Sequence, residues 1–218
     1  MLKDVFCRRN ILLCIRFLLV GITILSASSL AIAIDSNALK HYKRGNTLHR
    51  SGKLHQAVEE YKKAISIDPN YADAHYNLGM VYHHQGGQKN KIHRKNIEKD
   101  FPTQTYIKKW KFGREELKLA IKEFKEVIRL QPNAADAHFK LGLVYDNHGD
   151  YADAISEYQK TISMDPRGLD GLDARANLAL IYYFVQEKRD EGIKEAEAVL
   201  KVNPNQPIAK AFLRGIKK

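Results

Sequence analysis

The feature that most constrains this chain is a pattern that repeats every 34 residues. Identical residues recur at that separation in both halves of the chain: Gly45 and Gly79, Ala120 and Ala154, Pro132 and Pro166. Between the halves the separation becomes 63 residues, from Gly79 to Gly142, which is one repeat plus 29 residues. A unit of this length cannot bury its apolar face alone, so neighbouring copies must stack. The spacing therefore predicts about four stacked copies, with a 29-residue insertion in the second.

Each copy places a small residue, an alanine, an aromatic residue and a proline at fixed positions. A small residue lets two helices approach closely, and a proline ends a helix because it lacks the amide hydrogen that a helix interior needs. We expect the aromatic residues Tyr61, Phe124 and Tyr158 to fill the gap to the following copy. The fourth copy departs from the pattern, with Gly192 and Ala196 where an alanine and an aromatic residue belong.

These positions resemble the tetratricopeptide repeat, a 34-residue helix-turn-helix unit. The resemblance covers about residues 38–204 and implies an all-α fold, a right-handed solenoid over residues 34–204. The expected copies are 38–71, 72–134 with an insertion at 87–114, 135–168 and 172–204, followed by a capping helix in 205–218.

Two further sets of residues recur where the copies begin. Asn70 and Asn133 each precede an aspartate by three residues, which predicts that they cap the following helices. His41, His75 and His138 recur at the fourth position of their copies, and we expect them to be structural.

The family resemblance implies that the first helices line a concave groove that binds an extended peptide or a partner helix. For Phe139, one of the residues expected there, packing between repeats is an equal alternative. Some family members clamp a carboxylate here; Asn46 and Asn77 match that clamp, but Asp136 reverses a charge, so we do not expect it. The predicted groove residues are Tyr42, Asn46, His49, Tyr76, Asn77, His83, Phe139, Asp146 and Tyr183.

Residues 1–33 have the layout of an export leader. Basic residues precede an apolar run over 17–34 that includes Ala31-Ile32-Ala33, which is typical of a signal peptide cleaved after Ala33. The alternative is an uncleaved anchor, because 18 helical residues extend about 27 Å. Both interpretations predict export, either to the periplasm or to the outer face of the inner membrane, because basic flanks stay in the cytoplasm.

The net charge of +11 is concentrated in two places, +3 in the leader and +7 in residues 88–114, which we call the basic segment. Cations alternate with aromatic rings there, a composition that favours an anionic membrane surface or an acidic partner. The alternative is a flexible insertion without a ligand, and no nucleic acid is expected outside the cytoplasm. The candidate residues are Arg94, Lys95, Lys108, Lys109, Trp110, Lys111 and Phe112.

No motif in the sequence indicates catalysis. Both cysteines, Cys7 and Cys14, lie in the leader, and the phosphate-binding and hydrolase motifs GxxxxGK[ST], GxGxxG and GxSxG do not occur. No catalytic residue, cofactor or metal is therefore predicted. The favoured function is a non-catalytic protein-binding scaffold, with a membrane-surface adaptor as the alternative; self-association through the ends of the stack stays open.

Overall fold

The computed structural model describes residues 35–94 and 113–216, and all regular structure within these two ranges is α-helical. The helices are α1 (Ser36–Arg50), α2 (Leu54–Ile67), α3 (Ala72–Arg94), α4 (Arg114–Leu130), α5 (Ala135–His148), α6 (Tyr151–Met164), α7 (Leu169–Phe184), α8 (Arg189–Val202) and α9 (Pro207–Ile216).

The helices pack in consecutive pairs. Helix α1 packs on α2, α3 on α4, α5 on α6 and α7 on α8, and the second helix of each pair packs on the first helix of the next. Helix α9 lies against α7 and α8. The predicted all-α solenoid of helix pairs is confirmed.

In the first three pairs, a glycine on the first helix faces a buried aromatic ring on the second. A Cβ atom added to Gly45 would lie 2.6 Å from the ring of Tyr61, and one added to Gly142 would lie 2.7 Å from the ring of Tyr158. Both rings are fully buried. We expected these rings to fill the gap to the following copy; they lie against the glycine of their own copy and close its helix pair.

The fourth pair reverses this arrangement. The glycine at its helix contact, Gly192, is on the second helix, and a Cβ atom there would lie 2.7 Å from the carbonyl oxygen of Ala179 on the first. Ala179 stands at the position of the usual glycine, and Ala196 stands at the position of the usual aromatic residue. Both are fully buried in a separate apolar cluster that includes Phe212 of α9. The close helix contact is thus kept although the sequence pattern is lost.

The recurring histidines join the two helices of their pairs through glutamates on the second helix. The Nδ1 to Oε2 distances are 2.8 Å from His41 to Glu60, 2.7 Å from His75 to Glu123 and 2.6 Å from His138 to Glu157. In the fourth pair, an arginine replaces the histidine, and Arg175 Nη1 lies 2.7 Å from Glu195 Oε2. The structural role expected for the three histidines is confirmed.

The two helices on either side of the predicted insertion at 87–114 are longer than the other helices of the stack. Helix α3 continues to Arg94, and α4 begins six residues before Ala120, whereas α2 and α6 begin three residues before Ala57 and Ala154. A Cβ atom added to Gly113, whose φ is 73°, would lie 2.6 Å from the carbonyl oxygen of Gly86. The chain therefore leaves and re-enters the stack with its two backbones in contact.

The predicted helix cap at Asn133 is wrong. Helix α5 starts at Ala135, Ala134 occupies the capping position, and no side chain bonds to the free amides there. By contrast, Asp35 caps α1, with its Oδ1 atom accepting from the amide of Asn37 at 2.7 Å.

Several predictions lie outside the described residues. They are the leader at 1–33 and six residues of the basic segment, Lys95, Lys108, Lys109, Trp110, Lys111 and Phe112. Across 35–94 and 113–216, no helix combines the length and the apolar character that a membrane crossing requires.

The glycine–aromatic contact predicts that Gly142→Ala destabilises the fold. The added methyl group overlaps the ring of Tyr158, and overpacking of this kind costs about 1–3 kcal/mol in the free energy of unfolding, measured by urea denaturation. The control is Gly87→Ala, where a Cβ atom meets nothing within 4 Å and should stabilise helix α3 by about 0.5–1 kcal/mol. Equal effects of the two substitutions would contradict the packing argument.

Candidate binding groove

The predicted groove residues come from the first helices of the four pairs. On α1, Tyr42, Asn46 and His49 are spaced by four and three residues, so they form one stripe along the helix. Helices α1 and α3 touch, and so do α5 and α7, which places the stripes of neighbouring pairs side by side.

Three of the predicted residues form one hydrogen-bonded group between α1 and α3. The amide nitrogen Nδ2 of Asn77 donates to Asn46 Oδ1 at 2.9 Å and to the hydroxyl of Tyr42 at 3.1 Å. Behind them, the hydroxyl of Tyr61 donates to the same Asn46 Oδ1 at 2.7 Å. Burial raises the pKa of Tyr61 to about 12, so this hydroxyl keeps its proton and stays a donor. Sequence reasoning placed Tyr61 only in the core and missed its contact with the groove.

The histidines continue this surface toward the ends of α1 and α3. The ring centroids of His49 and His84 are 6.5 Å apart, and burial together with the charge of His84 lowers the pKa of His49. His83 Nε2 lies 2.7 Å from Asn147 Nδ2 of α5. Burial, with smaller contributions from Lys140 and His84, lowers the pKa of His83 to about 4. At neutral pH, His83 is therefore uncharged and joins two repeats.

Carboxylates gather where α3, α5 and α7 meet. Burial, with smaller contributions from the nearby Asp136 and Asp170, raises the pKa of Tyr76 to about 12. Burial also raises the pKa of Asp170 itself; Lys140 opposes this rise, and Asp136 adds to it. Asp170 was not predicted from the sequence, because it lies at the start of α7, outside the repeat positions that usually line the groove.

Phe139 does not fit the groove prediction. Its side chain is 5% exposed, and its ring centroid lies 6.1 Å from that of Tyr158, so it packs in the core and offers little surface to a ligand. Tyr183 is half-buried in an aromatic cluster, with ring centroids 4.8 Å from Phe184 and 5.1 Å from Phe212. Asp146 lies between these regions and is half-buried on α5.

Among residues 35–94 and 113–216, no three histidine, cysteine, aspartate or glutamate side chains are placed to hold a metal ion. The groove offers amides, imidazoles and aromatic faces, which are groups that recognise an extended backbone and its side chains.

Two family models match the chain. One, described as TPR repeat, matches residues 45–86 and 112–149, and the other, described as tetratricopeptide repeat, matches residues 135–167. Tetratricopeptide repeats are therefore present in this chain.

Solved structures of repeat solenoids have the same fold. The crystal structure of MamA is 28% identical with a TM-score of 0.58, over 79% of this chain and 82% of that one. PilF of Pseudomonas aeruginosa is 21% identical with a TM-score of 0.58, over 81% and 65%. The first TPR domain of Spaghetti (RPAP3), solved with the HSP90 peptide SRMEEVD, is 17% identical with a TM-score of 0.51, over 70% and 96%. The last two similarities show the fold alone.

Similarity to curated proteins extends over parts of their sequences. The photosystem I assembly protein Ycf3 of Synechococcus sp. (strain CC9605) is 30% identical over 80 residues, 37% of this chain and 46% of that protein. The Hsp70-Hsp90 organising protein of Plasmodium falciparum (isolate 3D7) is 28% identical over 126 residues, 58% of this chain and 18% of that protein. This chain spans less than half the length of these relatives.

The low pKa of His83 predicts that the fold loses stability on acidification. Between about pH 6.5 and 4 the unfolded chain binds a proton that the folded chain excludes, so the free energy of unfolding falls as the pH falls. The slope from this group is at most about 1.4 kcal/mol per pH unit. In His83→Gln, which does not titrate, urea denaturation across this range should show a shallower pH dependence. An unchanged slope would show that another group is responsible.

Proposed function

We propose that this chain is a non-catalytic scaffold that works outside the cytoplasm and binds an extended peptide or a partner helix along α1, α3, α5 and α7. The observation that carries this proposal is the group formed by Tyr42, Asn46 and Asn77. These half-buried side chains are held in place from the core, by Tyr61, while part of their surface faces outward.

Orientation before binding matters for affinity. A side chain that is already held by hydrogen bonds loses less conformational freedom when a ligand binds, which leaves more of the contact free energy as affinity. The relatives give this proposal a precedent, because RPAP3 was solved with a bound peptide along the same fold. The partner of this chain is a protein or peptide whose identity has to be found by capture.

Photo-crosslinking tests where the partner binds. A photoreactive amino acid at His49 lies on the groove stripe, and the same group at Glu59 lies on the exposed surface of α2. Extract from the cell envelope should give a reproducible adduct from position 49 and none from position 59. Adducts of equal yield from both positions would contradict binding in the groove.

Binding to the captured partner should depend on Asn77. Asn77→Ala removes two hydrogen bonds that orient Tyr42 and Asn46, and each is worth about 1 kcal/mol. We expect the Kd measured by calorimetry to rise about tenfold. The matched control, Lys62→Ala on the exposed face of α2, should leave the Kd unchanged.

The proposed location rests on the leader sequence. Mass spectrometry of the protein from its own cells gives the mature N-terminus. A start at Ile34 indicates a cleaved signal peptide, and a start at Met1 with membrane fractionation indicates an anchor. Recovery of the intact chain from the cytoplasmic fraction would exclude the proposed location.

A second proposal is that the basic segment holds the scaffold at an anionic membrane surface. Its favouring observation is the composition of the segment, which carries a net charge of +7 and alternates cations with aromatic rings. Vesicles of phosphatidylcholine with and without the anionic lipid phosphatidylglycerol test this proposal. The apolar leader should bind both kinds of vesicle, whereas the basic segment should add binding only where phosphatidylglycerol is present.

The substitution of Lys108, Lys109 and Lys111 by glutamate should abolish the extra binding to the phosphatidylglycerol vesicles in a flotation assay. The charge-matched control replaces the exposed scaffold residues Lys43, Lys53 and Lys201 by glutamate. This control should keep the extra binding to the phosphatidylglycerol vesicles. An equal loss in both variants would mean that total charge, rather than this segment, drives binding.

A further inference from the structure

Two buried histidines have hydrogen-bond acceptors at both ring nitrogens. For His75, Nδ1 lies 2.7 Å from Glu123 Oε2 and Nε2 lies 3.0 Å from the carbonyl oxygen of Pro69. For His138, Nδ1 lies 2.6 Å from Glu157 Oε2 and Nε2 lies 3.2 Å from the carbonyl oxygen of Pro132. Their side chains are only 9% and 6% exposed.

A neutral imidazole cannot satisfy both acceptors, because it has only one N–H group. A carbonyl oxygen never donates, so the nitrogen that faces it must be the donor. The other nitrogen then shares a second proton with the carboxylate. We infer that His75 and His138 are held as imidazolium ions in the folded chain, so that folding takes up a proton at each and the solenoid loosens as the pH rises.

The fourth repeat supports this inference. Arg175 occupies the position of His138, four residues before the small residue of its helix, and Glu195 occupies the position of Glu157. The arginine is always charged, so in the fourth repeat the position of the histidine holds a cation paired with a glutamate. In the first repeat, by contrast, the described residues give His41 one acceptor, Glu60, which a neutral ring satisfies.

The charges that face His75 favour the same state. Glu123 and Glu126 of α4 face His75, and Arg129 binds Glu126 at 2.7 Å. Burial by itself would lower the pKa of His75, but the hydrogen bonds to Glu123 and Pro69 and the two carboxylates outweigh burial and raise this pKa.

Around His138 the negative charge of Glu157 is partly offset. Lys160 of α6 binds the second carboxylate oxygen of Glu157 at 2.8 Å, and Lys125 of α4 is near enough to sense the same carboxylate. For His138, the two acceptors Glu157 and Pro132 are therefore what requires the second proton.

Each histidine ties three parts of a repeat together. Pro69 belongs to the turn between α2 and α3, His75 to α3, and Glu123 to α4; the equivalent contacts of His138 join the turn before α5 to α5 and α6. Loss of the second proton removes one of the two bonds of each ring. Because α3 and α5 bear the groove residues, the alignment of the groove depends on these two protons.

Nuclear magnetic resonance of the whole chain labelled with ¹⁵N at histidine tests the inference directly. At pH 7.5, where free histidine is mostly neutral, the rings of His75 and His138 should each show two N–H correlations. Assignment uses His75→Gln and His138→Gln, each of which removes one pair of signals. One N–H correlation per ring at this pH would overturn the inference.

The pH dependence of unfolding provides the second readout. The unfolded histidine has a pKa of about 6.5. Above this value, each pH unit lowers the folding equilibrium constant by up to about tenfold for every proton that folding takes up. Glu123→Gln and Glu157→Gln let a neutral ring accept at Nδ1 and donate at Nε2. Between pH 7 and 9, each single variant should therefore remove up to a tenfold change in the folding equilibrium constant per pH unit. The double variant should remove up to a hundredfold change per pH unit.

The matched control is Glu60→Gln, which changes the His41–Glu60 pair of the first repeat. Among the described residues, the ring of His41 has no second acceptor. Its slope between pH 7 and 9 should equal that of the unmodified chain. An equal reduction in all three single variants, or a slope of zero in the unmodified chain, would overturn the inference. If a variant does not fold, the spectrum of the unmodified chain still decides.

Discussion

The close contact between a glycine on one helix and an aromatic ring on the next is the constraint on which the rest of this solenoid depends. At Gly45, Gly79 and Gly142 no Cβ atom fits without displacing the ring that faces it, so this contact limits how the two helices of a pair can approach each other. The rings of Tyr61, Phe124 and Tyr158 are fully buried and belong to one continuous core that extends from α2 to α7. Close packing of this type tolerates little change in volume, and it therefore fixes where each first helix lies.

The same contact reaches the proposed binding surface. Tyr61 packs its ring against Gly45 and donates its hydroxyl proton to Asn46, which in turn accepts from Asn77 of the next repeat. Packing in the core and orientation of the groove are thus two consequences of one side chain. His75 and His138 each bind the carbonyl oxygen of the proline in the preceding turn and so join that turn to the helix pair that follows.

Much of this could be predicted because the repeat fixes both period and chemistry. The spacing of glycines and prolines predicted the helix pairs, and the recurrence of His75 and His138 predicted a structural role. Phe139 could not be assigned to the groove or to packing from the sequence, because position on a helix does not reveal how far the neighbouring ring of Tyr158 covers it. The cap at Asn133 failed because capping depends on the backbone angles of the turn, and Ala134 holds that place. The extension of α3 was missed because Gly86 and Gly87 are usual helix breakers, yet Gly86 is needed here for the contact with Gly113.

The sequence by itself determined the repeat and the two places where positive charge is concentrated, because these follow from period and composition, and the family resemblance of the repeat implied the all-α class. Only the tertiary structure decided which groove side chains touch one another, which are buried, and which histidines meet two acceptors. The physical reason is that a hydrogen bond requires two groups within about 3 Å, and partners such as His75 and Glu123 are brought together by packing across 48 residues of chain.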